Sequence, residues 1–287
     1  MFNSTPSIDT PGRRLPVFGA RALLAALIAG TAGLSACALQ PSAKAQRVEA
    51  NGLALALADR EQTLDSMQTP AVMEYSGRGG HFKAREQLVV RRPASLRVEA
   101  MSPLGVALVV TADASQVAVF DPSKNTLMRG PATAATLERF AQIPMTPQQA
   151  ARLLLALSPD STMLTMPPSS QSDDADMKVL TYARADGAIE ELGFTDGLLT
   201  LVRENLPDGR LSYEVRYSDY KDIGAVKFPY AIEANFPSAG TTVKLRYERP
   251  IVDGEVADSL FVLLPGPSTR LIDLGMNGGN ATDAPPG

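Results

Sequence analysis

In Leu96-Arg97-Val98-Glu99-Ala100 apolar and charged side chains alternate, and just beyond, Ser102-Pro103-Leu104-Gly105 has the composition of a tight turn. A period of two puts Leu96, Val98 and Ala100 on one face and Arg97 and Glu99 on the other, which is the pattern of a strand with one apolar and one wet side. The same alternation recurs downstream, in Tyr213-Val215-Tyr217 against Glu214 and Arg216, and in Val243-Leu245-Tyr247 against Lys244 and Arg246. Working outward, further strands are predicted at 72–83, 85–92, 106–111, 116–121, 125–129, 177–185, 188–195, 198–205 and 226–236. Asp121-Pro122 marks a turn, and Asp186-Gly187, Asp196-Gly197 and Asp208-Gly209 mark tight hairpins. The succession is an antiparallel meander in a mainly β chain.

Three segments have helical spacing. In residues 46–68, Leu53, Leu57, Arg60 and Leu64 recur every three or four residues, with no proline before Pro70. A short helix is predicted at 134–141 and a second at 147–157, where Thr146 caps, Pro147 takes the first helical position and Gln149 completes a capping box. The second helix carries Leu153, Leu154, Leu155 and Leu157, so it must be covered, and the open face of the sheet is the available surface. Residues 158–176, rich in Pro, Ser and Asp, read as a long mobile loop, and 275–287 as a disordered tail. For 257–264 periodicity does not decide between a short helix and a last strand.

The first 36 residues have the marks of a signal segment: Arg13, Arg14 and Arg21, then an uncharged apolar run from Ala22 to Leu34. That run is shorter than the roughly 20 residues a bilayer-crossing helix needs. It ends in Leu34-Ser35-Ala36-Cys37, which resembles the lipobox of bacterial lipoproteins, and this resemblance implies cleavage before Cys37 and acylation of its thiol. The resulting division is a signal peptide at 1–36, an acylated N-terminus with an amphipathic helix at 37–70, a β domain at 71–274 with lid helices at 134–141 and 147–157, and the tail. Ala38 stands where lipoproteins retained in the inner membrane typically carry Asp, which favours a lipid-anchored position on the periplasmic face of the outer membrane. Leu15-Pro16-Val17 fits the twin-arginine motif poorly, so general secretion is the default route.

Without residues 1–36 the chain has 24 Lys plus Arg against 30 Asp plus Glu, a net charge of −6 that implies no nucleic-acid partner. A single cysteine excludes an intrachain disulfide. His81 is the only histidine, with no second His or Cys to share a metal, and no Gly-x-Ser-x-Gly elbow or phosphate-binding glycine loop with its strand and helix is found. Asp173-Asp174-x-Asp176 reads as a solvated loop in preference to a calcium site. A binding protein without metal or cofactor, and not an enzyme, is the expectation.

From Leu96 to Leu157 the order of parts is a strand ending in Pro103-Leu104-Gly105, two strands, Arg129-Gly130-Pro131, a short helix, Ile143-Pro144-Met145 and the Leu-rich helix. This order resembles the LolB family of outer-membrane lipoprotein receptors and insertion proteins, over roughly residues 72–249. The resemblance implies an incomplete antiparallel β-barrel of about 11 strands around an apolar cavity, with a helical lid. It implies a monomer that takes acylated lipoprotein cargo from a LolA-like periplasmic carrier and inserts it into the membrane without ATP. By the same resemblance Pro103, Leu104 and Gly105 form a membrane-inserting loop, with Leu104 at its tip. The alternation nominates Leu96, Val98, Val215, Tyr217, Val243 and Leu245 as inward, cavity-facing residues. A longer 158–176 segment, the lack of Trp and the extension beyond Pro250 depart from the family. They leave open a second class, an envelope sensor or scaffold lipoprotein that binds an apolar ligand or a protein through the same half-barrel.

Overall fold

The alternating segments pair into one antiparallel sheet. The computed structural model describes residues 43–275. After helix α1 (Ala43–Thr63) come β1 (Ser66–Gly77), β2 (Gly80–Arg91), β3 (Ser95–Ser102), β4 (Gly105–Ala112), β5 (Gln116–Asp121) and β6 (Thr126–Pro131). Helices α2 (Ala134–Ala141) and α3 (Pro147–Leu154) follow. The second series is β7 (Ser170–Asp174), β8 (Met177–Ala183), β9 (Ile189–Thr195), β10 (Leu198–Asn205), β11 (Leu211–Ile223), β12 (Val226–Phe236) and β13 (Thr241–Tyr247), and then β14 (Ile251–Val252) and β15 (Arg270–Asp273).

The spatial order is β15-β6-β5-β4-β3-β2-β1-β13-β12-β11-β10-β9-β8-β7, with β14 beside β1. Two meanders therefore meet at a β1–β13 seam, with Ala71 opposite Tyr247 and Met73 opposite Leu245. The sheet is open, since its edges β15 and β7 do not pair with each other. Among the described residues only β15 runs parallel to its neighbour. This order places the helices: the link from β6 to β7 joins strands far apart in the sheet, and the segment that makes it, α2–α3, lies on the apolar face.

One core fills that face. Helix α1 contributes Ala50, Ala54, Leu57 and, just past its end, Leu64; the α3 region contributes Ala151, Leu153, Leu155, Ala156 and Leu157; the strands contribute Met67, Leu88, Tyr213, Tyr217, Phe228 and Tyr247 among others. Beneath α2, Leu137 packs with Leu96, Ala112 and Val117 in a second cluster. The opposite face of β2 and β3 is covered by the chain beyond Pro250. Arg91 donates to the Val256 carbonyl at 2.9 Å and its guanidinium lies 5.1 Å from the Phe261 ring centroid, and Arg97 donates to the Leu260 carbonyl at 2.8 Å.

Several element expectations need correction. The first helix ends at Thr63 instead of running to 68, because the amides of Asp65 and Ser66 turn to the Asp253 carboxylate at 2.6 and 3.2 Å and Ser66 opens a strand. The strand expected at 72–83 is broken by the Gly77–Gly80 turn, where Gly80 adopts φ +107°, so its two halves belong to β1 and β2. The segment 158–176 is ordered. Asp160 caps a 3-10 turn at Ser161–Thr165 that buries Met163, and β7 follows as a polar edge strand with no apolar alternation to reveal it. The α3 helix stops at Leu154, with Ala156 at φ +52°, although Leu155 and Leu157 stay in the core. The ambiguous 257–264 holds a 3-10 turn at Asp258–Phe261. Among the described residues fifteen strands form where about 11 were expected.

Candidate functional site: an apolar wall under a helical roof

The wall is built by register. Tyr217 pairs with Ile232, Ile232 with Leu245, and Leu245 with Met73, which gives one apolar row across β11, β12, β13 and β1. Of the six residues nominated as inward-facing, Leu96, Val215, Tyr217 and Val243 are buried and Val98 and Leu245 are half-buried. Val215, Tyr217, Val98 and Leu245 belong to or pack on the main core, and Leu96 and Val98 pack beneath α2. The face they form is occupied by the chain's own 151–157 segment.

That roof is held by polar contacts at its ends. The N-terminus of α3 closes with the expected capping box: the Gln149 amide donates to Thr146 Oγ1 at 3.2 Å and the Thr146 amide donates to Gln149 Oε1 at 3.0 Å. A helix leaves its last carbonyls without partners inside the helix, and here the sheet and α1 supply them. Tyr217 donates to the Leu153 carbonyl at 2.9 Å, Tyr247 to that of Leu154 at 3.0 Å, and Arg60 to that of Leu155 at 3.3 Å. Arg152 donates to the Ser158 carbonyl at 2.6 Å and forms an ion pair with Glu61, whose side chains are 5% and 8% exposed. Gln142 ties the α2–α3 link to the sheet by accepting from Tyr75 at 3.0 Å and from the Arg78 amide at 2.9 Å.

Two carboxyls buried in the sheet titrate well above the usual carboxylate range. Glu86, 2% exposed, is pushed up to about 7 by burial, and its Oε1 has no hydrogen-bond partner. Glu190 is pushed up to about 8, first by burial and then by the nearby Glu204, while Tyr213 donates to it at 3.1 Å. Glu204 itself pairs with Arg184 at 2.6 Å.

The turn between β3 and β4 projects from the sheet. Leu104 at its tip is fully exposed, and Met101 and Val106 beside it are exposed too. The turn is braced from within: the Leu104 amide donates to Ser102 Oγ at 3.2 Å, and that hydroxyl donates to the Gly105 carbonyl at 3.0 Å. Gly105 has φ +115°, a conformation that favours glycine. Pro103 and Leu104 are both exposed, so the tip offers apolar surface to solvent. Cys37 lies outside the described residues. His81 lies at the exposed start of β2, its Nδ1 3.3 Å from Ser76 Oγ, and among the described residues no cluster of three metal-ligating side chains is found.

Sequence reasoning missed Tyr247, Glu61, Arg152 and Gln142 as roof anchors. Two of them had a signal: Glu61 continues the 50, 54, 57, 64 spacing of the buried face of α1, and Arg152 stands beside the leucines of α3.

These features define a class, an open antiparallel sheet whose apolar face is roofed by helices from its own mid-chain connection. No family model matches the chain, and no curated protein sequence matches it. The fold is nevertheless found among solved structures. One, described as an outer membrane lipoprotein-sorting protein domain from Vibrio parahaemolyticus, superposes with a TM-score of 0.53 at 8% identity, covering 75% of this chain and 97% of that one. A DUF1329 family protein from Desulfovibrio piger superposes at 0.51 with 10% identity, covering 76% and 97%. A LolA superfamily protein from Nitrosomonas europaea reaches 0.48 at 13% identity over 73% and 97%, too loose a superposition to add to the other two.

Proposed function

We propose that this protein is a lipid-anchored carrier on the periplasmic face of the outer membrane. It accepts acylated lipoproteins from a LolA-like periplasmic carrier, holds their acyl chains against the apolar wall, and releases them into the membrane at the Leu104 turn. It performs no bond chemistry and uses no ATP, and Cys37 carries its own anchor. The observation that carries this reading is the apolar row Tyr217-Ile232-Leu245-Met73 under a roof fastened to it by a few hydrogen bonds.

The magnitudes support exchange of roof for cargo. Lifting Leu153, Leu155 and Leu157 off the wall exposes three leucines, at about 1.5–3 kcal/mol each. An acyl chain of about 15 methylenes gains on the order of 12 kcal/mol when buried, at about 0.8 kcal/mol per methylene. Burial of one chain from water is thus larger than the exposure of the three leucines, and transfer runs down an affinity gradient from carrier to wall to bilayer. At the exit, Leu104 adds one fully exposed apolar side chain on a braced turn, too little for an anchor and enough to bias where cargo leaves.

The test is delivery of an acylated lipoprotein into liposomes. Leu104→Glu should accept cargo as the wild type does and deliver it more slowly, and depletion of the protein in cells should strand many lipoproteins in the periplasm. Equal delivery by Leu104→Glu, together with undisturbed lipoprotein sorting on depletion, would reject the proposal.

A further inference from the structure

Beside the roof, at the end where Arg60 holds the Leu155 carbonyl, a cavity of about 370 Å³ opens between α1 and strands β9 to β12. Its lining is mostly apolar, with Leu57, Phe194, Leu198, Leu199, Tyr220 and Val226. One cation is set into this wall. The Arg60 guanidinium donates to the Lys227 carbonyl at 2.7 Å and to the Leu155 carbonyl at 3.3 Å, and it lies 5.5 Å from the Phe228 ring centroid. A guanidinium has five N–H donors, and these two carbonyls leave some of them free. Among the described residues no carboxylate forms an ion pair with Arg60: Asp59 lines the same cavity without reaching it, and Lys227, also at the cavity, is already paired with Asp222 at 2.8 Å.

A partly buried cation with no carboxylate at ion-pair distance costs stability; burial pushes the Arg60 guanidinium below its ordinary value, and Asp253, which accepts from the Asp65 and Ser66 amides, opposes that only at longer range. Apolar walls around a guanidinium with donors left over and no carboxylate at ion-pair distance complement a molecule that has an alkyl chain and an anionic head. We propose that this cavity binds a single-chain anionic amphiphile, with its chain against Leu57, Phe194, Leu198 and Leu199 and its carboxylate or phosphate on Arg60. This goes beyond cargo transfer and makes α1 part of a second lipid site. The cavity lies at the small end of the roughly 300–1,000 Å³ range of small-ligand pockets, which suits one chain better than two.

Calorimetric titration of the purified full chain with decanoate, decyl phosphate and 1-decanol, below their micelle concentrations, tests it. Both anions should bind roughly ten- to a hundredfold more tightly than the alcohol, the range expected of a charge-assisted hydrogen bond. Arg60→Met should erase that preference, with all three ligands then binding alike. Ala56→Trp, at an exposed helix position lining the cavity, should remove binding of all three without a loss of thermal stability. Whichever anion binds more tightly identifies the head group, fatty acid or phosphate monoester. No binding, equal binding of all three ligands by the wild type, or an anion preference that survives Arg60→Met would overturn the proposal. A failure here leaves cargo transfer standing, because that is read from lipoprotein delivery and not from head-group charge.

Discussion

Two residues carry the sharpest expectations. Leu104 is fully exposed on a turn held by its own Ser102 hydroxyl, so it has little to contribute to folding. Leu104→Ala should change stability by no more than about 0.5 kcal/mol, as at other surface positions, whereas a core leucine would cost about 2–5 kcal/mol. Chemical denaturation separates the two, and a large loss would return Leu104 to a structural role. Glu86 is the opposite case, with one carboxylate oxygen unpartnered inside the sheet and its titration raised by burial from 4.5 to about 7. The folded state therefore holds this proton more tightly than the unfolded chain does. Its contribution to stability is complete below about pH 4.5 and is lost as the pH rises through about 7. Glu86→Gln does not titrate, so melting curves should show the variant gaining on the wild type between pH 5 and 8, by on the order of 2–4 kcal/mol. A difference that stays flat with pH would show that Glu86 is solvated after all. Leu104 was legible from a leucine where turns place Asn, Asp or Gly, and Glu86 shares the parity of Leu88 and Val90 in β2, a signal that its charge masked.

At the scale of elements, the roof depends on a buried ion pair. Arg152 on α3 meets Glu61 on α1, both almost wholly buried. Arg152→Met leaves Glu61 as an uncompensated buried charge and should cost about 3–5 kcal/mol, while the double variant Glu61→Leu with Arg152→Met should recover most of that loss. A double-mutant cycle in denaturant measures the coupling, and two independent, additive losses would mean that the pair does not hold the roof. Helix α2 was legible to the residue from its preceding Thr133, and the start of α3 from Thr146-Pro147 and Gln149. Boundaries set by distant partners were not. The end of α1 depends on Asp253 and the end of α3 on Tyr217 and Tyr247, which are remote in sequence. The edge strand β7, Ser170-Gln171-Ser172-Asp173-Asp174, has polar residues on both faces and so carries no period to read.

At the scale of the whole molecule, connectivity explains the roof. Two meanders that meet at β1–β13 leave β6 and β7 far apart in the strand order, and the connection between them holds the α2–α3 segment that lies on the apolar face. Alternation told the strands and their faces; it did not tell that the seam would join β1 to β13, because that pairing spans most of the chain. The account's central claim is that segment 147–157 is a displaceable roof over a wall that binds acyl chains. Hydrogen exchange of the full chain, with and without a diacylated lipopeptide, tests it most directly. The lipopeptide should speed exchange of the 147–157 amides and slow exchange in β11, β12 and β13, and the deacylated peptide should do neither. Unchanged exchange in 147–157 on saturation with the lipopeptide, or equal effects from the deacylated peptide, would contradict the claim.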